Sequence, residues 1–268
     1  GSEGTLGVLS KCTLRLIPRP PFAVTLLASF ADEAAACAAV HRCQTGGVTP
    51  AALELADRTC TELLLRSGTL AVPVPIDART LLWVELDGDA AGLDQALARA
   101  AGLCRDAGAL DVATATDPAT RERLWDVRRS LSHTLRAHWP KKISEDVAVP
   151  LARLPDLAAA AREIGARHGV DVASFGHAGD GNLHVNFLYD PKASPDIQAR
   201  VDRCVADLFA VTVALGGTLS GEHGIGLSKR AFMPLEQPPE TRALQLALKR
   251  AWDPGNILNP GKVFPPGP

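Results

Sequence analysis

Strand-like and helix-like patterning alternate along most of this chain. Residues 8–17 read as a strand stopped by Pro18, Pro20 and Pro21, and residues 22–30 as a second strand. Asp32 then caps an alanine-rich helix that runs to about Gln44 and closes at Gly46-Gly47. A short strand over residues 52–55 precedes a helix beginning near Asp57. Residues 81–86 (Leu-Leu-Trp-Val-Glu-Leu) predict a strand, residues 90–107 a helix ended by Gly108, and residues 111–115 a strand. Pro118 opens a long helix reaching about Ala137. Residues 143–149 alternate as a strand until Pro150 terminates it. Further helices are expected over about 154–168, 195–215 and 239–251. No low-complexity linker divides the chain and no exact repeat is visible. The pattern predicts an α+β fold: a mostly antiparallel sheet with helices packed on one side, and a C-terminal helical tail.

Composition narrows the function. The 268 residues carry a formal net charge of −2, without the clustered Lys and Arg that a nucleic-acid surface needs. At 46% hydrophobic the chain can bury a full core, yet no apolar run approaches the roughly 18–20 residues of a membrane span. The first residues do not read as a signal peptide. Six cysteines (Cys12, Cys37, Cys43, Cys60, Cys104 and Cys204) form no Cys-x-x-Cys pair. A reduced, cytoplasmic protein is expected rather than a thiol redox centre or iron–sulfur cluster.

The candidate chemistry lies in two segments. Residues 175–187 read Phe-Gly-His-Ala-Gly-Asp-Gly-Asn-Leu-His-Val-Asn-Phe. Strands on either side of the turn at Gly179, Asp180, Gly181 and Asn182 would bring His177 and His184 together across a hairpin. Alternation puts His184 and Asn186 on one face and Leu183, Val185 and Phe187 on the other. Two imidazoles and a carboxylate form a His2Glu set that holds a catalytic metal and leaves positions open for substrate. The plainer reading is a glycine-rich hairpin with one structural histidine. Residues 216–226 are a glycine-rich loop around one Glu-His pair. Glu222 supplies the missing carboxylate, and His223 is a candidate general base. The dipeptide alone says little; with the hairpin it makes the metal site the better reading.

Three other segments are less specific. The glycines of Gly1-Ser2-Glu3-Gly4-Thr5-Leu6-Gly7 suit a loop that presses its backbone against something anionic or planar. In the Pro- and Gly-rich tail, Asn259 and Lys262 sit between turns, as a surface terminus or in the service of a ligand. Arg128 offers a bidentate fork that suits a carboxylate, although an ordinary helix arginine is the plainer reading and Arg129 is its neighbour.

Four segments together resemble the FAD-linked oxidases, the carboxyl-terminal portion of flavoproteins with the vanillyl-alcohol-oxidase/p-cresol-methylhydroxylase fold. They are Gly-Ser-Glu-Gly-Thr-Leu-Gly at 1–7, Gly-His-Ala-Gly-Asp-Gly-Asn-Leu-His-Val-Asn at 176–186, Ser-Gly-Glu-His-Gly-Ile-Gly at 220–226, and Asp-Pro-Gly-Asn-Ile-Leu-Asn-Pro-Gly-Lys at 253–262. The resemblance covers essentially the whole chain. It points toward D-2-hydroxy-acid dehydrogenases of the D-lactate, glycolate or D-2-hydroxyglutarate type, without separating these substrates.

The resemblance implies a ferredoxin-like substrate or cap domain, FAD as cofactor, and a divalent metal, zinc or manganese. Residues 1–20 would be the last strand and flavin-contacting loop of an FAD-binding domain that is otherwise missing here. Residues 21–238 would be the cap domain with the metal site, and 239–268 a helix and tail returning to the flavin domain. His177, His184 and Glu222 match the metal ligands, His223 the catalytic base, and Asn186 a substrate-contacting amide. Arg128 matches the arginine that grips the substrate carboxylate, with Ser132 one helical turn later. Where some members place a substrate-binding lysine this chain has Ser144, with Lys142 two residues earlier on the same strand face. Gly1, Ser2, Glu3, Gly4, Thr5 and Gly7, with Asn259 and Lys262, would edge the flavin cradle.

The partners implied are a small 2-hydroxy acid and an electron acceptor such as a quinone, cytochrome or electron-transfer protein. Peripheral membrane attachment through that acceptor and a homodimer are both compatible. No dinucleotide fingerprint or NTP-binding phosphate loop is present. Two alternatives stay open: a stand-alone metal-dependent hydrolase, and a catalytically silent metal-binding module.

Overall fold

A computed structural model describes residues 1–264 of the chain. Seven strands form one sheet: β1 (Phe22–Phe30), β2 (Ala52–Ala56), β3 (Thr80–Gly88), β4 (Asp111–Ala115), β5 (Lys141–Ala148), β6 (Asp171–His177) and β7 (Asn182–Tyr189). Between and after them run helices α1 (Glu33–Thr45), α2 (Arg58–Ser67), α3 (Ala90–Asp106), α4 (Pro118–His138), α5 (Leu154–His168), α6 (Ile197–Ala214), α7 (Met233–Glu236) and α8 (Pro239–Trp252). Asp32, Asp57, Asp89 and Asp117 cap α1 to α4, each accepting a backbone N–H from three residues on. Such caps are typically worth about 1 kcal/mol each.

The strand order is β4-β1-β3-β2-β6-β7-β5, and every neighbouring pair is antiparallel. The first four strands, with α1 and α3, have the β4-β1-β3-β2 order of a ferredoxin-like unit. The run β5-α5-β6-β7-α6 repeats most of that plan, with strand order β6-β7-β5. The two halves join edge to edge through β2 and β6, and at that seam Glu54 stands opposite His177.

The sheet is covered on both faces, which corrects the expectation of helices on one side. Helices α1, α3, α5 and α6 bury one face against Leu26, Leu55, Val84, Val185 and Phe187. Helices α2 and α4 cover part of the other, against Leu27, Leu81, Trp83 and Phe175. The near-continuous apolar runs of β1 and β3 have this cause, since a strand buried on both faces loses its alternation. A second correction concerns residues 8–17, which run as irregular, exposed backbone. Strand backbone needs a partner for its N–H and C=O groups, and no described strand pairs with this segment. No described helix is long and apolar enough to cross a membrane.

Candidate active site

The face carrying α2 and α4 also carries a row of polar side chains. Thr25 and Glu85 lie over β1 and β3, Glu54 over β2, His177 at the end of β6, and His184 and Asn186 on β7. Lys142 and Asp146 complete the row on β5. Period-two alternation puts their apolar neighbours Leu53, Leu55, Val84, Val185 and Phe187 in the opposite core.

The histidine hairpin closes through a single tight turn at Ala178–Asp180. Gly181 takes φ +71°, and a Cβ there would stand 2.1 Å from the Val149 carbonyl oxygen. The two imidazoles converge as their strand positions require, with ring centroids 5.5 Å apart at 83°. Glu222 reaches both, its Oε1 lying 3.6 Å from His177 Nε2 and 3.3 Å from His184 Nε2. Donors about 2.0–2.1 Å from one tetrahedral ion lie roughly 3.4 Å from each other. These spacings, in a group whose ligand atoms all lie within 4.8 Å, therefore fit a divalent metal.

Burial pushes the His184 imidazole down to about 4, with His223, His177 and Arg128 adding to the effect and Glu222 opposing it. Neutral imidazole is the form that ligates metal. His223 stacks on His184 with ring centroids 5.2 Å apart, its side chain 55% exposed. Glu222 is 46% exposed, so the cluster opens to solvent on one side.

The Glu-His loop is pinned from two directions. On one side Asp146 Oδ2 accepts the backbone N–H of Glu222 at 2.6 Å and of His223 at 2.9 Å. Its Oδ1 lies 3.5 Å from His223 Nδ1. Lys229 donates to the same carboxylate and to the Leu219 carbonyl at 2.8 Å. Burial opposes ionisation of Asp146, but the Glu222 N–H, the Lys229 ammonium and the His223 N–H outweigh it and hold the carboxyl down at about 2. On the other side Glu3 accepts the N–H groups of Ile225 and Gly226, each at 2.7 Å. Gly221 sits so close that a Cβ would meet Asn182 Nδ2 at 2.1 Å.

Helix α4 presents Trp125, Arg128 and Ser132 to the polar row. Arg128 is buried, with Nη2 2.5 Å from Glu54 Oε2 and its guanidinium 4.9 Å from the Phe175 ring centroid. Its Nε has no hydrogen-bond partner among the described residues. Arg129 points away into solvent and pairs with Glu122 and Asp126. Trp125 donates to Glu85, which also accepts the Thr25 hydroxyl at 3.1 Å.

Lys142 donates to Ser132 Oγ and Asn186 Oδ1, both at 2.8 Å, joining three of the expected substrate residues in one cluster. Burial lowers the Lys142 ammonium below its usual range, assisted by Arg136. Asn186 is 0% exposed and gives its amide hydrogens to the Ala173 and His184 carbonyls. In this arrangement the Asn186 carboxamide oxygen supports Lys142.

The expected cofactor residues are split. Ser2, Glu3 and Thr5 form a turn in which the Thr5 hydroxyl donates to the Ser2 carbonyl at 2.6 Å. Gly4 takes φ +70°, packed so tightly that a Cβ would lie 2.6 Å from Asn259 Nδ2, and Asn259 donates to the Glu3 carbonyl at 2.5 Å. A cavity of about 220 Å³ lies between this turn, Ile225 and Phe264. Gly1 borders that cavity, whereas Gly7 is exposed and Lys262 lines a separate hollow with Arg250 and Asn256.

Sequence reasoning missed Glu54, Glu85, Asp146 and Lys229. For Glu54 the signal was Leu53-Glu54-Leu55, an acid alternating with core residues on a strand; for Asp146 it was the alternation of residues 143–149. Lys229 carried none, because its role depends on how an irregular loop folds.

Residues 19–263 match the family described as FAD linked oxidases, C-terminal domain. The chain is 34% identical over 264 residues to the glycolate oxidase subunit GlcD of Bacillus subtilis, covering 98% of this chain and 56% of that protein. It is also 34% identical over 270 residues to a D-lactate dehydrogenase of Archaeoglobus fulgidus, with the same two coverages. The chain thus spans about half the length of these curated relatives. Its fold is similar to that of p-cresol methylhydroxylase with substrate bound, with a TM-score of 0.66 at 17% identity over 93% of this chain and 54% of that one.

Proposed function

The chain belongs to the family of FAD-linked oxidase C-terminal domains, and from that membership we propose that it is the substrate-binding and catalytic half of a flavin-dependent D-2-hydroxy-acid dehydrogenase. The substrate would be of the D-lactate, glycolate or D-2-hydroxyglutarate type. The observation that carries the reading is the convergence of His177, His184 and Glu222 next to His223 on one open face of the sheet.

His177, His184 and Glu222 would hold zinc or manganese, a donor set that leaves coordination positions for substrate. When bound, the flavin supplies two-electron oxidising power and the metal a Lewis acid. His223 would take the proton of the 2-hydroxyl, with Asp146 beside its Nδ1 to stabilise the imidazolium formed. Arg128 would orient the substrate carboxylate with the hydrogens left over from Glu54, replacing random encounter by a fixed geometry. Lys142 is a half-buried cation whose side-chain partners, Ser132 and Asn186, are both neutral. It would contact the far end of the substrate.

Gly1 to Thr5, Gly7, Asn259 and Lys262 would meet the flavin edge, with the main flavin contacts outside this chain. A quinone, cytochrome or electron-transfer protein would then reoxidise the cofactor. Membership in an oxidase family favours this reading over a stand-alone metal-dependent hydrolase or a silent metal-binding module. The test is an assay of the complete flavin-loaded protein with an artificial dye acceptor. Oxidation of D-lactate, glycolate or D-2-hydroxyglutarate with L-lactate spared supports the reading; no turnover of any 2-hydroxy acid ends it.

A further inference from the structure

Glu54 is a buried acid in mid-strand, and such a group is costly unless both oxygens find partners. Its partners come from two different elements. Oε1 lies 2.6 Å from His177 Nδ1, and Oε2 lies 2.5 Å from Arg128 Nη2. A carboxylate held by a guanidinium acts as acceptor, so the neutral His177 imidazole that faces it carries its proton on Nδ1. That leaves the Nε2 lone pair free on the side of the ring facing Glu222 Oε1, 3.6 Å away.

We propose that Glu54 is the positioning residue of this site: it fixes the His177 tautomer and ties that imidazole to the guanidinium of Arg128. One carboxylate at the seam between the two sheet halves then holds a donor atom and a cationic anchor in a common frame. Carboxylates that fix the tautomer of a ligating histidine are typically worth about 10–100-fold in metal affinity. The affinity consequence rests on the metal reading above, whereas the tautomer consequence does not.

The test is Glu54→Gln, which keeps the size of the side chain. A guanidinium can only donate, so the amide oxygen must turn to Arg128 and the amide NH2 must face His177 Nδ1. The imidazole proton is thereby driven to Nε2. Long-range proton–nitrogen NMR of the metal-free protein at mildly alkaline pH reads this directly, with His177 assigned by comparison with His177→Gln. The expected result is an Nδ1–H tautomer in the wild type and an Nε2–H tautomer in Glu54→Gln. Calorimetric titration with zinc alone should show about 10–100-fold weaker binding by the variant.

A merely structural Glu54 would lower the thermal midpoint and leave the tautomer unchanged, and an unchanged tautomer overturns the proposal whatever the midpoint. If Glu54→Gln does not fold, the wild-type spectrum still decides, since a predominantly Nε2–H tautomer there also overturns it. A tautomer switch in a protein that binds neither zinc nor manganese would remove the metal reading and leave the role of Glu54 standing.

Discussion

Asp146 and His223 are linked twice: the Asp146 carboxylate accepts the His223 backbone N–H at 2.9 Å and lies 3.5 Å from its Nδ1. A buried strand acid thus fixes the backbone of an exposed loop histidine and stands beside its ring. Asp146→Asn should therefore loosen the loop, leaving buried Lys229 with Glu145, 3.7 Å away, as its remaining charge partner. Breaking a buried ion pair from one side costs about 3–5 kcal/mol. Denaturant unfolding should show a loss at or below the lower end of that range, since Glu145 still faces Lys229, and amide hydrogen exchange at Glu222 and His223 should quicken.

Glu222 and His223 are adjacent, yet their substitutions should separate. Glu222→Ala leaves two imidazoles as ligands, so zinc affinity and turnover of the complete enzyme should both be lost. His223→Ala should keep the metal and lose about 10²–10⁴-fold in kcat, the usual worth of a general base. Metal analysis alongside steady-state kinetics separates the two. Metal loss in His223→Ala with retention in Glu222→Ala would mean that the roles are reversed.

His184 and Asp146 should each lose their contribution to the stability of the metal-free chain as pH falls, in two successive windows. Asp57, its carboxyl pushed up to about 7 by burial, contributes in the opposite sense. The folded-state value of His184, about 4, lies below its ordinary 6.5, so the unfolded chain takes up the proton first. Its contribution is then lost as pH drops from about 6.5 and levels off below about 4, on the order of 3 kcal/mol in total. Asp146, held at about 2 against an ordinary 3.8, adds a further loss as pH falls through that lower window. In denaturant unfolding across this range, the difference in stability between the wild type and His184→Gln should follow the first window, because the Asp57 contribution is common to both.

Arg128→Met should destabilise by about 3 kcal/mol, because Glu54 is left buried with His177 as its remaining partner. In the complete enzyme the same change should raise KM for monocarboxylate substrates. Arg129→Met, on the solvent side of α4, should do neither. Equal effects at the two positions would contradict the assignment of Arg128 to the site.

The elements were legible where pattern and punctuation agreed. Asp caps, Pro starts and Gly stops marked α1, α3 and α4 to within a residue or two. The hairpin was legible because alternation alone decides that His184 and Asn186 share a face. What stayed hidden depends on pairing at long range. Glu54 meets His177 only because β2 and β6 are neighbours, and no local pattern states that adjacency. Residues 8–17 show the converse limit: strand propensity without a partner strand gives exposed, irregular backbone. Helices on both faces could have been read from the unbroken apolar runs of β1 and β3, a signal that alternation-based reasoning overlooks.

The most direct measurement is anaerobic reduction of the flavin in the complete enzyme by D-lactate, glycolate and D-2-hydroxyglutarate in turn, followed as bleaching of the flavin's visible band. It is made before and after chelator treatment and again after adding zinc or manganese. The expected result is rapid bleaching by at least one of D-lactate, glycolate and D-2-hydroxyglutarate and little by L-lactate, abolished by chelation and restored by metal, with Glu222→Ala refractory throughout. Equal bleaching by both enantiomers, undiminished once elemental analysis finds no metal, would contradict the account.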